Sequence, residues 1–287
     1  MAALRDLVAK EIAIPVDPRV SAMAEAIAAR YVPASRAVLF YGSCLRQHQL
    51  EGLMLDFYLI VSDYRSAYGK GWLAPANKLI PPNVFYFEHD GLVAKYAVLS
   101  EADFYHLNGP ETRNVSVWAR FAQPSRLVWA ANDEARSSAV AAISRAAPTL
   151  LAAAGWRDGE ASLDWWRRAF SLTYSAELRA ERKGRSTSVV DTDRERYERF
   201  SDPAIAAIPA LMARPSSWAR RRIEGKALSV VRLAKASATF AGGVDYIAWK
   251  INRHAGTEIE ITPWQRRHPL LAAISLLPRL LRSGAVR

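Results

Sequence analysis

Cysteine is almost absent from the sequence, with Cys44 the single thiol among 287 residues. One thiol cannot close an intramolecular disulfide or supply a cysteine-based zinc site, so both are excluded. Long apolar runs are lacking too, because no stretch reaches the roughly 20 uninterrupted apolar residues that a spanning helix needs. We therefore expect a soluble or peripheral protein of a reducing compartment, in which Cys44 packs in the interior; a nucleophilic role is the alternative.

Acidic residues are outnumbered: 39 Lys and Arg stand against 28 Asp and Glu, for a formal net charge of +11. The surplus is concentrated in residues 201–287, where fourteen basic residues face five acidic ones. Such a surface favours an anionic partner, either a nucleic acid or the acidic face of a membrane. Charge alone does not choose between them.

Half of the residues are hydrophobic, which is enough to bury a full core. Strand-like segments dominate up to about residue 131, and Ala-rich helical periodicity follows. The pattern predicts an α+β protein with three parts. These are a mixed domain at residues 1–131, a helical domain at residues 132–262 and an amphipathic C-terminal helix at residues 263–287.

The first domain is organised around residues 38–61, VLFYGSCLRQHQLEGLMLDFYLIV. A short apolar strand runs into Gly42-Ser43, and after a polar, helix-sized interval a second strand carries Asp56. Glycine permits a tight turn and close approach of the backbone to a phosphate, and the amides that follow can bind an anion. The carboxylate would hold a divalent metal during phosphoryl transfer. This arrangement is typical of nucleotidyltransferases of the DNA polymerase β type.

Alternation places Asp56 on an otherwise apolar strand, where a carboxylate needs a partner or a metal. In the alternative interpretation Gly42-Ser43 is only a turn, and the acid faces solvent or pairs with an Arg. The signature usually has a second acid directly after the first or two residues beyond it, but Phe57 and Tyr58 occupy the next two positions. A two-metal site would need a carboxylate from elsewhere.

A β-hairpin is predicted next, with a turn at His89-Asp90-Gly91 between two strand-like runs. Glu88 on the first arm is our candidate for the missing metal ligand. Lys95 on the second arm is the candidate cation for a phosphate. A salt bridge between the two on a solvated face is an equally good interpretation.

The last third contains two basic apolar segments. Residues 226–239 form a basic amphipathic helix with Arg232 and Lys235 on one side. Residues 268–287, HPLLAAISLLPRLLRSGAVR, combine leucines at helical spacing with Arg279 and Arg282. A Leu-rich helix flanked by Arg is typical of an interfacial membrane anchor, and packing on the body of the protein is the alternative.

Taken together, these residues resemble the peripheral, mitochondrial-type CDP-diacylglycerol synthases, which are phosphatidate cytidylyltransferases. The matching segments, in chain order, are Tyr41-Gly42-Ser43, Gln47, Met54-Leu55-Asp56-Phe57, Lys95-Tyr96-Ala97-Val98, the segment from Thr173 to Arg179, and Lys235, Thr239, Tyr246 and Lys250. One expected segment, with W-H-x-x-N and H-Y-S elements after the acid strand, is replaced by residues 66–77.

The resemblance implies transfer of CMP from CTP to the phosphate of phosphatidic acid, with release of pyrophosphate and a requirement for Mg²⁺. It also implies a peripheral location on an anionic membrane surface, at the cytoplasmic face of a bacterial inner membrane or the matrix face of a mitochondrion. A nucleic-acid partner is not expected. The alternatives are a nucleotidyltransferase acting on tRNA or another nucleic acid, and a degenerate, non-catalytic member that binds lipid or nucleic acid.

The site residues that follow from motif and resemblance fall into four groups. The catalytic pair is Asp56 and Lys95; the nucleotide-binding residues are Gly42, Ser43, Gln47 and Arg179; the metal ligands are Asp56 and Glu88; and the lipid or membrane contacts are Arg232, Lys235, Lys250, Arg279 and Arg282.

Overall fold

The computed structural model describes residues 1–47, 50–177, 189–211, 217–239 and 262–264. Its first helices and strands are α1 (Ala2–Ile12), α2 (Pro18–Ala29), β1 (Ser35–Tyr41), α3 (Ser43–Gln47), β2 (Met54–Val61), α4 (Tyr64–Tyr68), α5 (Leu73–Leu79), β3 (Asn83–His89) and β4 (Leu92–Ser100). They are followed by α6 (Glu101–Leu107), α7 (Trp118–Phe121), β5 (Ser125–Ala130), α8 (Asp133–Ile143), α9 (Ala146–Ala154), α10 (Ser162–Ala176), α11 (Arg194–Ala207) and α12 (Trp218–Thr239).

The predicted α+β class is confirmed by a five-stranded mixed sheet in the order β3-β4-β2-β1-β5. Strands β1 and β2 pair antiparallel, whereas β2 and β4 pair in parallel. Residues that pair across a sheet share a face. One row of the sheet therefore carries Tyr41, Asp56, Lys95 and Tyr86 on the same face, one residue from each of four neighbouring strands.

The hairpin between β3 and β4 forms as predicted. His89 pairs with Leu92, so the turn has two residues, Asp90 and Gly91. Both have a positive φ, at 47° and 73°, as a tight hairpin turn requires. This turn fixes the register of the strand that carries Lys95.

The two faces of the sheet contribute to different cores. One face packs under α2 through residues such as Phe40, Phe57 and Leu59. The other face, which carries the Asp56 row, continues through Leu39 and Ile60 into the helices after the sheet. Aromatic residues of α10 belong to this second core, with Trp166, Phe170 and the partly buried Tyr174 among its members. The strand-rich and helical parts thus share one hydrophobic core, and the division at residue 132 stays a prediction.

Helix α12 begins at Trp218, eight residues before the predicted start at Lys226. The first turns of α12 lack an apolar stripe, and a hydrogen bond to another part of the chain stabilises them instead. Arg221 is buried and donates a hydrogen bond to the Arg113 carbonyl at 2.9 Å. None of the helices described is long and apolar enough to span a membrane.

At Gly225 helix α12 lies close to the end of α10. A Cβ atom placed on Gly225 would lie 2.2 Å from the Ala176 carbonyl oxygen, so only glycine fits. Glu177 directly follows Ala176 in the sequence. Arg232 lies two turns of α12 beyond Gly225. The close crossing thus determines how these two charged residues approach the sheet.

We predict that Gly225→Ala destabilises the protein by about 1–3 kcal/mol, because backbone atoms must move apart. Helix propensity alone predicts the opposite sign, a gain of about 1 kcal/mol. Urea unfolding measures the difference, with Lys226→Ala at the neighbouring exposed position as the control. A more stable Gly225→Ala variant would show that the two helices are not in contact here.

Candidate functional site

The centre of the site is the end of β1, where the backbone comes very close to the Asp56 carboxylate. Gly42 has a φ of 96°, in the region that favours glycine. A Cβ atom at this position would lie 2.8 Å from Asp56 Oδ2. The glycine of the predicted motif is therefore needed both for the turn and for the approach of the backbone to the carboxylate.

Asp56 pairs with Lys95, its neighbour in the parallel register of β2 and β4. Lys95 Nζ lies 2.7 Å from Asp56 Oδ1, with side-chain exposures of 25% and 17%. Oδ1 is shielded from solvent and takes part in no hydrogen bond of good geometry, so the contact is an electrostatic one. The two predicted catalytic residues are thus brought together, and the partner of Asp56 is a lysine rather than an arginine.

Glu88 lies elsewhere on the edge strand. It pairs with Val93, whereas Tyr86 occupies the place opposite Lys95. Its side chain is exposed and accepts a hydrogen bond from the Tyr86 hydroxyl at 3.2 Å. Glu88 and Lys95 are therefore not directly opposite each other in the hairpin, as a cross-strand salt bridge between them would require. The role of Glu88 as a metal ligand stays a prediction.

Arg120 on α7 adds a half-buried cation to the same side of the sheet. It donates to the Ser116 carbonyl and lies 3.4 Å from the Glu177 carboxylate. Burial acts to lower the pKa of Arg120, but Glu177, Tyr58, Tyr41 and Asp56 outweigh it and raise that pKa. Arg120 is therefore a permanent charge inside the site.

Two tyrosines lie under these charges. Tyr41 and Tyr58 have ring centroids 5.3 Å apart. Burial, with a contribution from Asp56, raises the pKa of Tyr41 well above its ordinary value. Burial also raises the pKa of Tyr58. Both hydroxyls therefore stay protonated and can donate hydrogen bonds but cannot act as bases near neutral pH.

Helix α12 supplies two further cations that point inward. Arg232 Nε donates to the Pro81 carbonyl at 2.8 Å, and Arg232 Nη1 donates to Ser116 Oγ at 2.8 Å. One turn further on, Lys235 donates to the Ile80 carbonyl. The two residues predicted to contact lipid thus face the segment before β3 and the Arg120 side of the site.

The other predicted residues are placed only in part. Ser43 begins α3 and Gln47 ends it, but the Gln47 side chain lies outside the described residues, as do Arg179, Lys250, Arg279 and Arg282. Cys44 is buried, and burial raises the pKa of its thiol, as the packing interpretation requires.

Sequence reasoning missed Arg120, Ser116 and Tyr58 as site residues. Arg120 lies in a four-residue helix that carries no motif, and Tyr58 was expected only to stand where the signature can have an acid. Glu177 belongs to the Thr173–Arg179 segment of the family resemblance but was not predicted as a site residue. The available signal was the alternation of β2, which puts Tyr58 on the same face as Asp56.

For metal binding, the described residues include no group of three His, Cys, Asp or Glu side chains that could hold an ion by themselves. Magnesium ions need fewer protein ligands, since they are often held by one or two carboxylates together with substrate phosphates and water. The buried Asp56 Oδ1, which lacks a well-oriented hydrogen bond, fits such a role. The role of Asp56 as a metal ligand stays a prediction.

No family model matches the sequence, and no curated protein matches it. Among solved structures, a nucleotidyltransferase-like protein from Exiguobacterium sibiricum 255-15 is similar over 92% of each chain. The identity is 11% and the TM-score is 0.30. A likeness this weak decides neither the fold nor the function.

Gly42→Ala tests the close approach of the turn to Asp56. Gly52→Ala is a matched control, because Gly52 also has a positive φ of 68° but no atom lies within 4 Å of an added Cβ. Both variants carry backbone strain of about 1–2 kcal/mol. We expect Gly42→Ala to lose a further 1–3 kcal/mol or so of unfolding free energy in urea, from displacement of the carboxylate. Equal losses would mean that the carboxylate does not constrain the turn.

Proposed function

We propose that the protein is a nucleotidyltransferase with a fold of the DNA polymerase β type, which transfers CMP from CTP to the phosphate of phosphatidic acid at a membrane surface. The observation that supports nucleotidyl transfer is the convergence of Gly42, Asp56 and Lys95 at the end of one antiparallel strand pair. A phosphate-binding turn, a carboxylate and a lysine are the groups that such a reaction requires.

The charges around this centre support a phosphate-rich substrate. Two carboxylates, Asp56 and Glu177, lie near four cations: Lys95, Arg120, Arg232 and Lys235. An excess of positive charge among partly buried side chains is unfavourable unless an anion compensates it. A nucleoside triphosphate carries the charge that is missing.

In the proposed reaction an oxygen of the acceptor phosphate attacks the α-phosphorus of CTP. A new phosphoanhydride bond forms, the bond between the α- and β-phosphates breaks, and pyrophosphate leaves. The acceptor is already a nucleophilic anion, so no strong general base is needed. Lys95 and the amides after Gly42 would align the phosphates and neutralise the developing charge. Asp56 would hold Mg²⁺, which supplies further neutralisation when bound.

The lipid acceptor is supported by the distribution of charge along the sequence. The basic last third suits an anionic surface, and the Leu/Arg pattern of residues 268–287 suits an interfacial helix, although that segment lies outside the described residues. We propose a peripheral location on the cytoplasmic face of a bacterial inner membrane, or on the matrix face in a mitochondrion.

One observation favours a non-catalytic alternative. Lys95 already neutralises Asp56, and the described residues include no group of three His, Cys, Asp or Glu side chains that could hold a metal ion by themselves. A protein with this site could bind a nucleotide or an anionic lipid without turnover. Nucleotidyl transfer to tRNA is a further alternative, and it predicts an RNA affinity that falls steeply with salt concentration.

We predict that the wild-type protein releases pyrophosphate only when Mg²⁺, CTP and phosphatidate-containing liposomes are all present. Asp56→Asn should lower this rate at least about a hundredfold, because charge neutralisation in the transition state is lost. Asp202→Asn, at an exposed position of α11, is the matched control. The measurement is a coupled pyrophosphate assay with each of the four nucleoside triphosphates.

Full activity of a folded Asp56→Asn variant would contradict the assignment of this carboxylate. Turnover without any dependence on lipid would exclude phosphatidate as the acceptor. No pyrophosphate release under any condition, together with nucleotide binding, would favour the non-catalytic alternative.

A further inference from the structure

Two neighbouring cations of α12 have no acidic partner within the part of the chain that the structure describes. Among the described residues, neither Arg232 nor Lys235 forms an ion pair with a carboxylate, and both donate to backbone carbonyls of residues 80–81. Burial lowers the pKa of Arg232 to about 10 and that of Lys235 to about 7. A purely structural contact with a carbonyl does not require a charge, so these cations need another explanation.

The surroundings add to the positive charge. Ser116 joins Arg232 to Arg120, because its hydroxyl accepts from Arg232 and its carbonyl accepts from Arg120. The charged and titratable groups that act on Arg232 are Tyr58 from β2, Glu177 after α10 and Arg120 from α7. Lys235 feels chiefly Arg232, which lowers its pKa further. Glu177 pairs with Arg120 at 3.4 Å. The positive charge of the cluster is therefore concentrated at Arg232 and Lys235.

Donor capacity remains on both side chains. A lysine ammonium has three N–H groups and an arginine guanidinium has five. The Ile80 carbonyl accepts one N–H of Lys235, and the Pro81 carbonyl and Ser116 hydroxyl accept N–H groups of Arg232. The remaining donors suit the three oxygens of a phosphate monoester.

We propose that Arg232, Lys235 and the Ser116 hydroxyl form a second anion subsite, for a phosphate monoester dianion, beside the Asp56–Lys95 centre. This inference rests on the proposed function, in which one phosphate belongs to the nucleotide and another belongs to the acceptor. The dianion could come from a lipid headgroup or from a soluble monoester, since the cations recognise the same group in both.

Binding should be coupled to proton uptake. The anion favours the charged form of Lys235 and raises its pKa from about 7. Near pH 7.5 the phosphate is already almost fully a dianion, since its second pKa is about 6. Any proton taken up there must therefore go to the protein.

The test is isothermal titration calorimetry with glycerol 3-phosphate near pH 7.5, in two buffers of different ionisation enthalpy. We expect the wild-type protein to take up a measurable fraction of a proton for each ligand bound, because burial lowers the pKa of Lys235 to about 7 and the anion raises it again. Lys235→Met should weaken binding about tenfold or more, from the loss of a charge-assisted hydrogen bond. Lys235→Arg should bind but take up no proton, because arginine is always charged.

Lys226→Met is the matched control, since Lys226 is an exposed lysine of the same helix and should leave binding and uptake unchanged. Thermal melting of each variant excludes misfolding as the cause of a loss. Co-sedimentation with phosphatidylcholine vesicles, with and without phosphatidate, distinguishes the two sources. Dependence on Lys235 only in the vesicle assay would identify a lipid headgroup, and dependence in both assays would identify the phosphate itself.

Equal affinity of wild type and Lys235→Met in both assays would overturn the proposal, as would equal proton uptake by Lys235→Arg, or no binding by the wild-type protein to either the monoester or the phosphatidate vesicles. CTP binding is measured on the same samples. If CTP binding persists while neither the monoester nor the phosphatidate vesicles bind, only the subsite is wrong. If CTP fails to bind while the monoester binds through Lys235, the subsite stands and the proposed nucleotidyl transfer is wrong.

Discussion

The ion pair between Asp56 and Lys95 depends on the parallel register of β2 and β4, and the rest of the site is arranged around it. A carboxylate on an apolar strand needs compensation, and the neighbouring strand supplies it at 2.7 Å. Gly42 then lets the backbone of β1 approach the same carboxylate from the other side. A turn, an acid and a lysine from three different strands thus meet at one point, although about fifty residues separate the first from the last.

Helices on both sides of β5 contribute charged residues to this centre. Arg120, Glu177 and Arg232 come from α7, the end of α10 and α12, and each reaches the sheet face that carries Asp56. Gly225 permits the close crossing of α10 and α12 that precedes both Glu177 and Arg232. Packing between helices therefore controls the electrostatics of a site whose core lies on the strands.

Local patterns were enough to predict the strand, turn and acid-bearing strand, because each of these features depends on neighbouring residues. The pairing of Asp56 with Lys95 was not predictable in the same way, since α4, α5 and β3 intervene between the two strands. The position of Glu88 could have been predicted better. A two-residue turn at Asp90 and Gly91 requires Tyr86, not Glu88, to lie opposite Lys95. Arg120 had no sequence signal, because only tertiary packing brings its short helix to the sheet.

Arg232 and Lys235, which form no ion pair with a carboxylate of the described ranges, are difficult to explain by stability alone. An apolar side chain of similar size would pack against the segment of residues 80–81 without the cost of burying a charge. The sheet below already has its ion pair, and Glu177 is engaged by Arg120. Arg232 and Lys235 therefore keep a positive potential inside a cluster whose two carboxylates are already paired. A protein retains such an arrangement when an anion restores the balance, and a substrate with several phosphates is an anion of that kind.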